Sequence, residues 1–286
     1  MSMQSIALFK KQFQQNLKSL YDDMEIESFF NLALQQIAGL SRLDLALNTK
    51  LVFADLQLAD FENVSQKLQQ QVPIQYILGQ TNFYGLDFFV NPNVLIPRPE
   101  TEELVDWIVN DCKSDPRPVN ILDLGTGSGC IAISLKKNIP NATVSAIDIS
   151  KAALEIARKN ADQNLANVNF KQQNILEINE LDQDFDIIVS NPPYVRHLEK
   201  NQIQRNVLDH EPHLALFVDD NDALIFYKKI ATLALKHLTL NGKLFFEINQ
   251  YLSSETVALL HQIGFEKIEL RKDIYGNDRM IKASRT

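Results

Sequence analysis

One pattern, running from Val119 to the end of the chain, narrows the fold more than any other feature. A short apolar strand, a turn and a helix follow one another, and the unit then repeats. VNILDL leads into a helix from Cys130, ATVSAID leads into a helix from Lys151, and VNFKQQ and DFDIIVS follow. Further on come GKLFFEIN, a helix around Ser254 to Ile263, EKIEL and RMIKAS. Strands separated by helical crossovers imply an α/β fold with a mostly parallel sheet wound on both faces. Ligands of such sheets sit beyond the carboxyl ends of the strands, where strand order reverses.

The rest of the chain has a different texture. At 286 residues, about two domains are expected. The first eighty or so residues have no Gly before Gly39 and are dense in Gln and Leu. Phe29, Leu32, Ala33, Gln36 and Ile37 stand at helical spacing, and Ser41 with Asp44 has the form of a capping box. A bundle of short helices is expected there. From Thr81, aromatic and β-branched residues alternate around Gly85 and Pro92, which reads as a short connecting hairpin. Pro97 and Pro99 stop the strand. Glu100, Glu102 and Glu103 then favour a helix start, with the helix continuing through Trp107 and Val109.

Charge and composition exclude several functions. With 28 Lys and Arg against 36 Asp and Glu, the net charge is −8, which argues against a broad nucleic-acid-binding surface. No apolar run approaches the ~20 residues of a membrane span, and the N-terminus lacks a signal peptide's apolar block, so a cytoplasmic protein is expected. Cys112 and Cys130 have no metal-ligand spacing. His210, Glu211 and His213 lack the helical face that a metal needs.

Three segments carry chemistry. Gly125-Thr126-Gly127-Ser128-Gly129 lies between a strand and a helix, where glycines let the backbone turn sharply and approach a ligand. Its G-x-G-x-G spacing, with Cys130 following, departs from the dinucleotide fingerprint. Asp148 ends the next strand, where a carboxylate can accept hydrogen bonds from both hydroxyls of a ribose; Ser150 could cap the helix beyond it. Asn191-Pro192-Pro193-Tyr194 ends DFDIIVS. The prolines remove N–H donors and stiffen the backbone, leaving carbonyl oxygens in a fixed geometry. Asn191 adds a side-chain carbonyl, and Tyr194 can cover a planar group. A nucleoside cofactor beside a clamp for a planar nitrogen points to methyl transfer from S-adenosyl-L-methionine.

PIQYILG, IPRPETEEL, DLGTGSGCIAISL, AIDIS, IIVSNPPY, EPHLALF and DxxGNDR occur in this order between about Pro73 and Arg279. With them the chain resembles the HemK/PrmC family of protein-glutamine methyltransferases, which modify peptide chain release factors. The resemblance implies a Rossmann-like class I methyltransferase domain over 98–286, a substrate-recognition helical domain over 1–78 and a hairpin connector over 79–97. It also implies that Gly125 to Gly129 wrap the methionine part of the cofactor, Asp148 its ribose and Asn174 with Ile175 its adenine. Asn191 and the Pro192 carbonyl would hold the substrate glutamine amide beside the cofactor, with Pro193 and Tyr194 packing alongside. Two departures stand out. Family members often have an acidic residue and Trp where Asn174-Ile175 stands, and Gly where Asn249 follows Phe246-Glu247-Ile248. A monomer with no stable nucleic-acid partner and no membrane association is expected.

A DNA adenine methyltransferase also needs a pocket for a conjugated amine, but it also needs a basic surface, which this chain lacks. A non-catalytic cofactor-binding module is disfavoured by the intact Asn191-Pro192-Pro193-Tyr194 segment. Arg98 could contact a carboxylate of cofactor or partner, or stand exposed at a helix entry.

Overall fold

The computed structural model describes residues 5–48, 51–113 and 117–284. Of the expected helical domain, residues 1–4, 49 and 50 lie outside them, and of the expected methyltransferase domain, residues 114–116, 285 and 286. The chain divides into two compact units, one of Met1–Gly79 with Gln204–His210, the other of Gln80–Ile203 with Glu211–Thr286.

The first unit holds α1 (Ile6–Leu17), α2 (Asp23–Ala38), α3 (Arg42–Leu47), α4 (Asp55–Gln69) and α5 (Ile74–Leu78). Its core is aromatic: Phe9, Phe13, Phe30, Phe53 and Phe61 are buried, with Phe13 and Phe30 edge to face at 5.5 Å. The buried stripe of α2 runs through Ile26, Phe30, Ala33 and Leu34, about one position from the stripe expected through Phe29 and Leu32. Both stripes satisfy a 3.6-residue period. The structure puts Phe30 against Phe13 and Phe61, gives Phe29 to the edge of Tyr21, and leaves Leu32 and Gln36 exposed. The capping box forms: the Asp44 amide donates to Ser41 Oγ at 3.2 Å, and the Ser41 amide donates to Asp44 Oδ2 at 2.8 Å.

The second unit opens with the hairpin β1 (Gln80–Phe83) and β2 (Leu86–Phe89), then α6 (Pro99–Cys112), with Pro99 in its first turn. The Tyr84 amide at the hairpin turn donates to Glu102 Oε1 at 3.0 Å, and the Tyr84 hydroxyl to Asp106 Oδ1 at 3.0 Å. The hairpin is thereby pinned along α6. Then follow β3 (Val119–Leu124), α7 (Cys130–Asn138), β4 (Ala142–Asp148), α8 (Lys151–Gln163), β5 (Val168–Gln172) and β6 (Phe185–Ser190). After the two-residue strand β7 (Val195–Arg196) comes α9 (Arg205–His210), which belongs to the first unit. The chain closes with α10 (His213–Leu216), β8 (Phe217–Val218), α11 (Ile225–His237), β9 (Leu238–Glu247), α12 (Ser253–Ile263), β10 (Lys267–Lys272) and β11 (Asp278–Ser284).

The seven-stranded sheet has the order β10-β11-β9-β6-β3-β4-β5. Five strands, from β9 to β5, are parallel, while β11 runs antiparallel to both β9 and β10. Alternating side chains bury both faces. Ile121, Ile187 and Phe245 pack with Leu104, Ile108 and Ile131 of α6 and α7, whereas Leu122, Ile188 and Phe246 pack with Tyr227, Ile230 and Leu260 of α11 and α12. From β3 the chain winds out to β5 and returns to β6 on the other side of β3. The switch point therefore lies between the carboxyl ends of β3 and β6, at Leu124 and Ser190.

Candidate active site

The loop Gly125–Gly129 leaves β3 at the switch point. The Gly125 and Thr126 amides donate to the Ile147 carbonyl at 2.8 and 3.0 Å, and the Gly127 amide donates to Asp148 Oδ2 at 2.8 Å. Thr126 and Ser128 are buried and turned inward. The Thr126 hydroxyl donates to Asp123 Oδ2 at 2.6 Å, and the Ser128 carbonyl accepts from Asn160 Nδ2 at 2.9 Å. What the loop offers outward is therefore backbone. Gly127, at φ +55°, has open space where a Cβ would stand. Gly129, at φ +83°, has none: a Cβ there would come 2.9 Å from Ile133 Cδ1 and 3.2 Å from Ala157 Cβ, so its bareness lets α7 pack against α8.

Asp148 accepts from Gly127 with one oxygen and from the Ser150 amide with the other, at 2.8 Å each, while Ser150 Oγ caps α8 by accepting from the Ala153 amide at 3.1 Å. Each carboxylate oxygen keeps a further lone pair for a ribose hydroxyl. Burial raises the Asp148 carboxyl above its usual value, against the pull of the backbone donors. Neighbouring Asp123 is fully buried, and burial pushes it up to about 7 against the Thr126 hydrogen bond, with the charge of Asp148 adding.

Asn174 spends its side chain locally. Its Oδ1 accepts from the Leu176 amide at 3.1 Å and its Nδ2 donates to Glu177 at 2.9 Å, capping a single turn. Ile175 is buried, and its Cδ1 lies 3.8 Å from where a Cβ on Gly125 would stand, so this side chain, of the pair, borders the loop.

Across the switch point, Ser190 donates to the Leu124 carbonyl at 2.5 Å, fixing the end of β6 to the end of β3. Asn191 Nδ2 donates to Thr101 Oγ at 3.3 Å. Thr101 donates to Glu247 Oε2 at 2.6 Å, and the Tyr194 hydroxyl donates to Glu247 Oε1 at 3.1 Å. Asn249 Nδ2 holds the Tyr194 carbonyl at 3.0 Å. Among the described residues nothing donates to Asn191 Oδ1 or to the Pro192 carbonyl. Burial raises the Tyr194 hydroxyl far above its ordinary value, and the Glu247 charge adds to the effect, so the phenol stays protonated.

Arg98 meets a carboxylate of its own chain. Its Nη2 lies 2.5 Å from Oε1 of buried Glu211, whose Oε2 accepts from the Ile96 amide at 3.2 Å. These contacts fix the turn into α6. Burial pushes the Cys130 thiol up to about 12, which removes it as a nucleophile at neutral pH.

The family model of the PrmC N-terminal domain matches residues 11–79, and that of the methyltransferase small domain matches residues 104–215. A release factor glutamine methyltransferase of Flavobacterium psychrophilum is 56% identical over 278 residues, 96% of this chain and 98% of that one. One of Bacteroides thetaiotaomicron is 44% identical over 273 residues, 95% of this chain and 97% of that one. The chain belongs to the release factor glutamine methyltransferase family.

Membership agrees with the Rossmann-like class I fold expected from the sequence. The T. Thermophilus 16S rRNA N2 G1207 methyltransferase, solved with AdoMet and guanosine, shares that fold, with a TM-score of 0.53 and 19% identity over 72% of this chain and 50% of that one. The methyl donor of the release factor glutamine methyltransferases is S-adenosyl-L-methionine, and the site fits it. The open face at Gly127 leaves room for a ligand against bare backbone, and Asp148 keeps lone pairs able to accept from a ribose.

Four side chains of this architecture were given no role by sequence reasoning, although Asp123 heads the segment that runs into the glycine loop. Asp123 lies next to last in apolar β3 and Glu247 ends β9, where a buried carboxylate is the informative exception. Thr101 is hidden inside the IPRPETE motif. Asn160 reads as one polar residue on an amphipathic helix, yet it is fully buried: its Oδ1 accepts from the Phe89 amide at 2.7 Å, and its Nδ2 donates to the carbonyls of Phe89 and Ser128.

Proposed function

We propose that this chain transfers a methyl group from S-adenosyl-L-methionine to the side-chain amide nitrogen of the glutamine in the Gly-Gly-Gln motif of peptide chain release factors, supporting translation termination. The observation that carries the chemical reading is the pair of consecutive acceptors with no donor of their own, Asn191 Oδ1 and the Pro192 carbonyl, at the end of β6. An NH₂ group has two hydrogens to give to such a pair.

The donor, when bound, supplies an electrophilic methyl on a sulfonium centre. The backbone from Gly125 to Gly129 would hold its methionine part, Asp148 its ribose, and Ile175, with the turn that Asn174 caps, its adenine. An amide nitrogen is a poor nucleophile because its lone pair is delocalised into the carbonyl. Gripping both N–H groups aims that lone pair and stabilises the positive charge that grows on nitrogen. The methyl–sulfur bond would break as the nitrogen–carbon bond forms, leaving a thioether and a cationic nitrogen acidic enough to lose its proton to water, so no strong base is required; Tyr194, kept a neutral phenol by burial and by the charge of Glu247, covers the group without taking that proton.

In this reading residues 1–78 recognise the release factor, 79–97 connect, and 98–286 carry the chemistry, in a monomer acting in the cytoplasm without stable nucleic-acid contacts. Among the described residues no helix is long and apolar enough to cross a membrane. The test is incubation with labelled donor and a whole release factor, followed by peptide mapping. Label on the glutamine side chain is expected. Label that persists when that glutamine is replaced by Ala, or label on duplex DNA in its place, would refute the assignment.

A further inference from the structure

The two ends of Asn191's amide are nearly the same size, yet only one arrangement serves a clamp. With Oδ1 toward the substrate, the side chain accepts; reversed, it presents an NH₂ to an NH₂, and the grip is lost. Something must hold Nδ2 inward. Nδ2 meets Thr101 Oγ, a hydroxyl that could by itself either donate or accept. Its single proton is already committed: Thr101 donates to Glu247 Oε2 at 2.6 Å, and both residues are buried. Burial raises the Glu247 carboxyl above its usual value, against the Thr101 hydrogen bond and the charge of Arg279; its geometry is that of an acceptor, with one hydroxyl donating to each oxygen, at 2.6 and 3.1 Å. Tyr194 supplies the proton for the other oxygen, so neither oxygen of Glu247 is left seeking a donor. Thr101 Oγ is thereby left with lone pairs alone to offer Asn191.

We propose that Thr101 and Glu247 are positioning residues that lock the amide of Asn191 with its oxygen toward the substrate nitrogen. The relay runs from β9 through the first turn of α6 to the end of β6, so three elements that converge at the switch point set one side-chain orientation. The same carboxylate anchors Tyr194, so the acceptor and the aromatic cover share one support. This inference rests on the proposed function for its consequence, while the locked orientation is a property of the free protein.

The experiment has two readouts on Thr101→Val and Thr101→Ser. In the free protein, the side-chain NH₂ signal of Asn191, identified by its loss in Asn191→Ala, should exchange with solvent at least about tenfold faster in T101V than in the parent and in T101S. In single-turnover methylation of a release factor, T101V should be about tenfold slower with donor affinity within about twofold of the parent, while T101S stays close to the parent rate. Should T101V fail to fold, Thr101→Ala also removes the hydroxyl and is read in the same way. Unchanged amide exchange in the hydroxyl-free variant overturns the lock, as does a T101S enzyme as slow as T101V. A parent enzyme with a protected Asn191 amide but no glutamine methylation would overturn the functional reading and leave the lock standing.

Discussion

The Gly127 amide donates to Asp148 Oδ2 at 2.8 Å, so the loop after β3 leans on the last residue of β4. The carboxylate proposed to receive a ribose also braces the backbone proposed to receive the rest of the cofactor. Replacing Asp148 with Ala removes an acceptor from Gly127 and from Ser150 at once. Donor affinity should fall by about 10- to 100-fold, as expected for loss of charge-assisted hydrogen bonds. Calorimetric titration of donor into the D148A protein checks this, and an unchanged dissociation constant would remove Asp148 from the site.

The glycines of the loop differ in purpose, and substitution separates them. Gly129→Ala forces a Cβ against Ile133 and Ala157 at a left-handed position and should cost roughly 2 to 4 kcal/mol of stability by urea unfolding. Gly127→Ala meets no protein atom within 4 Å and should cost only about 1 kcal/mol while weakening donor binding more severely, since its Cβ stands on the open face. Equal losses of stability in the two variants would contradict the division.

Asp123 makes stability depend on pH. Its carboxyl sits at about 7 in the folded protein against 3.8 when unperturbed, so the folded state holds the proton more tightly. The contribution is present in full below about pH 4 and is lost as pH rises through about 7. Asp123→Asn keeps an acceptor for Thr126 and cannot ionise. Its melting temperature relative to the parent should therefore rise between pH 5 and pH 8, on the scale of several degrees expected from a shift of this size. A constant difference across that range would show that Asp123 keeps an ordinary acidity.

How much of this could be read in advance depends on whether the signal was local. The order of strands, turns and helices was legible because period and punctuation are local properties, and Pro99 at the start of α6 and the hairpin around Tyr84-Gly85 follow the same rule. The helical crossovers between repeated units made a mostly parallel sheet legible but not its strand order, and the antiparallel insertion of β11 between β9 and β10 has no local mark. Asn160 and Thr101 were not legible, because each acquires its role from groups 71 and 146 residues away in the chain. Nor was the side-chain engagement of Asn174, which turns back to cap its own turn. The stripe of α2 was misplaced by one residue because period alone does not choose between two adjacent apolar faces.

Carbonyl acceptors at the end of β6 hold the substrate nitrogen in the proposed reaction, and Asn191→Ala removes the one that a side chain provides. Single-turnover methylation of a release factor, measured at saturating donor alongside direct donor titration, should show a rate at least about tenfold below the parent with donor affinity within about twofold. A mutant that transfers its methyl at the parent rate would show that the Asn191 carbonyl plays no part in the transfer.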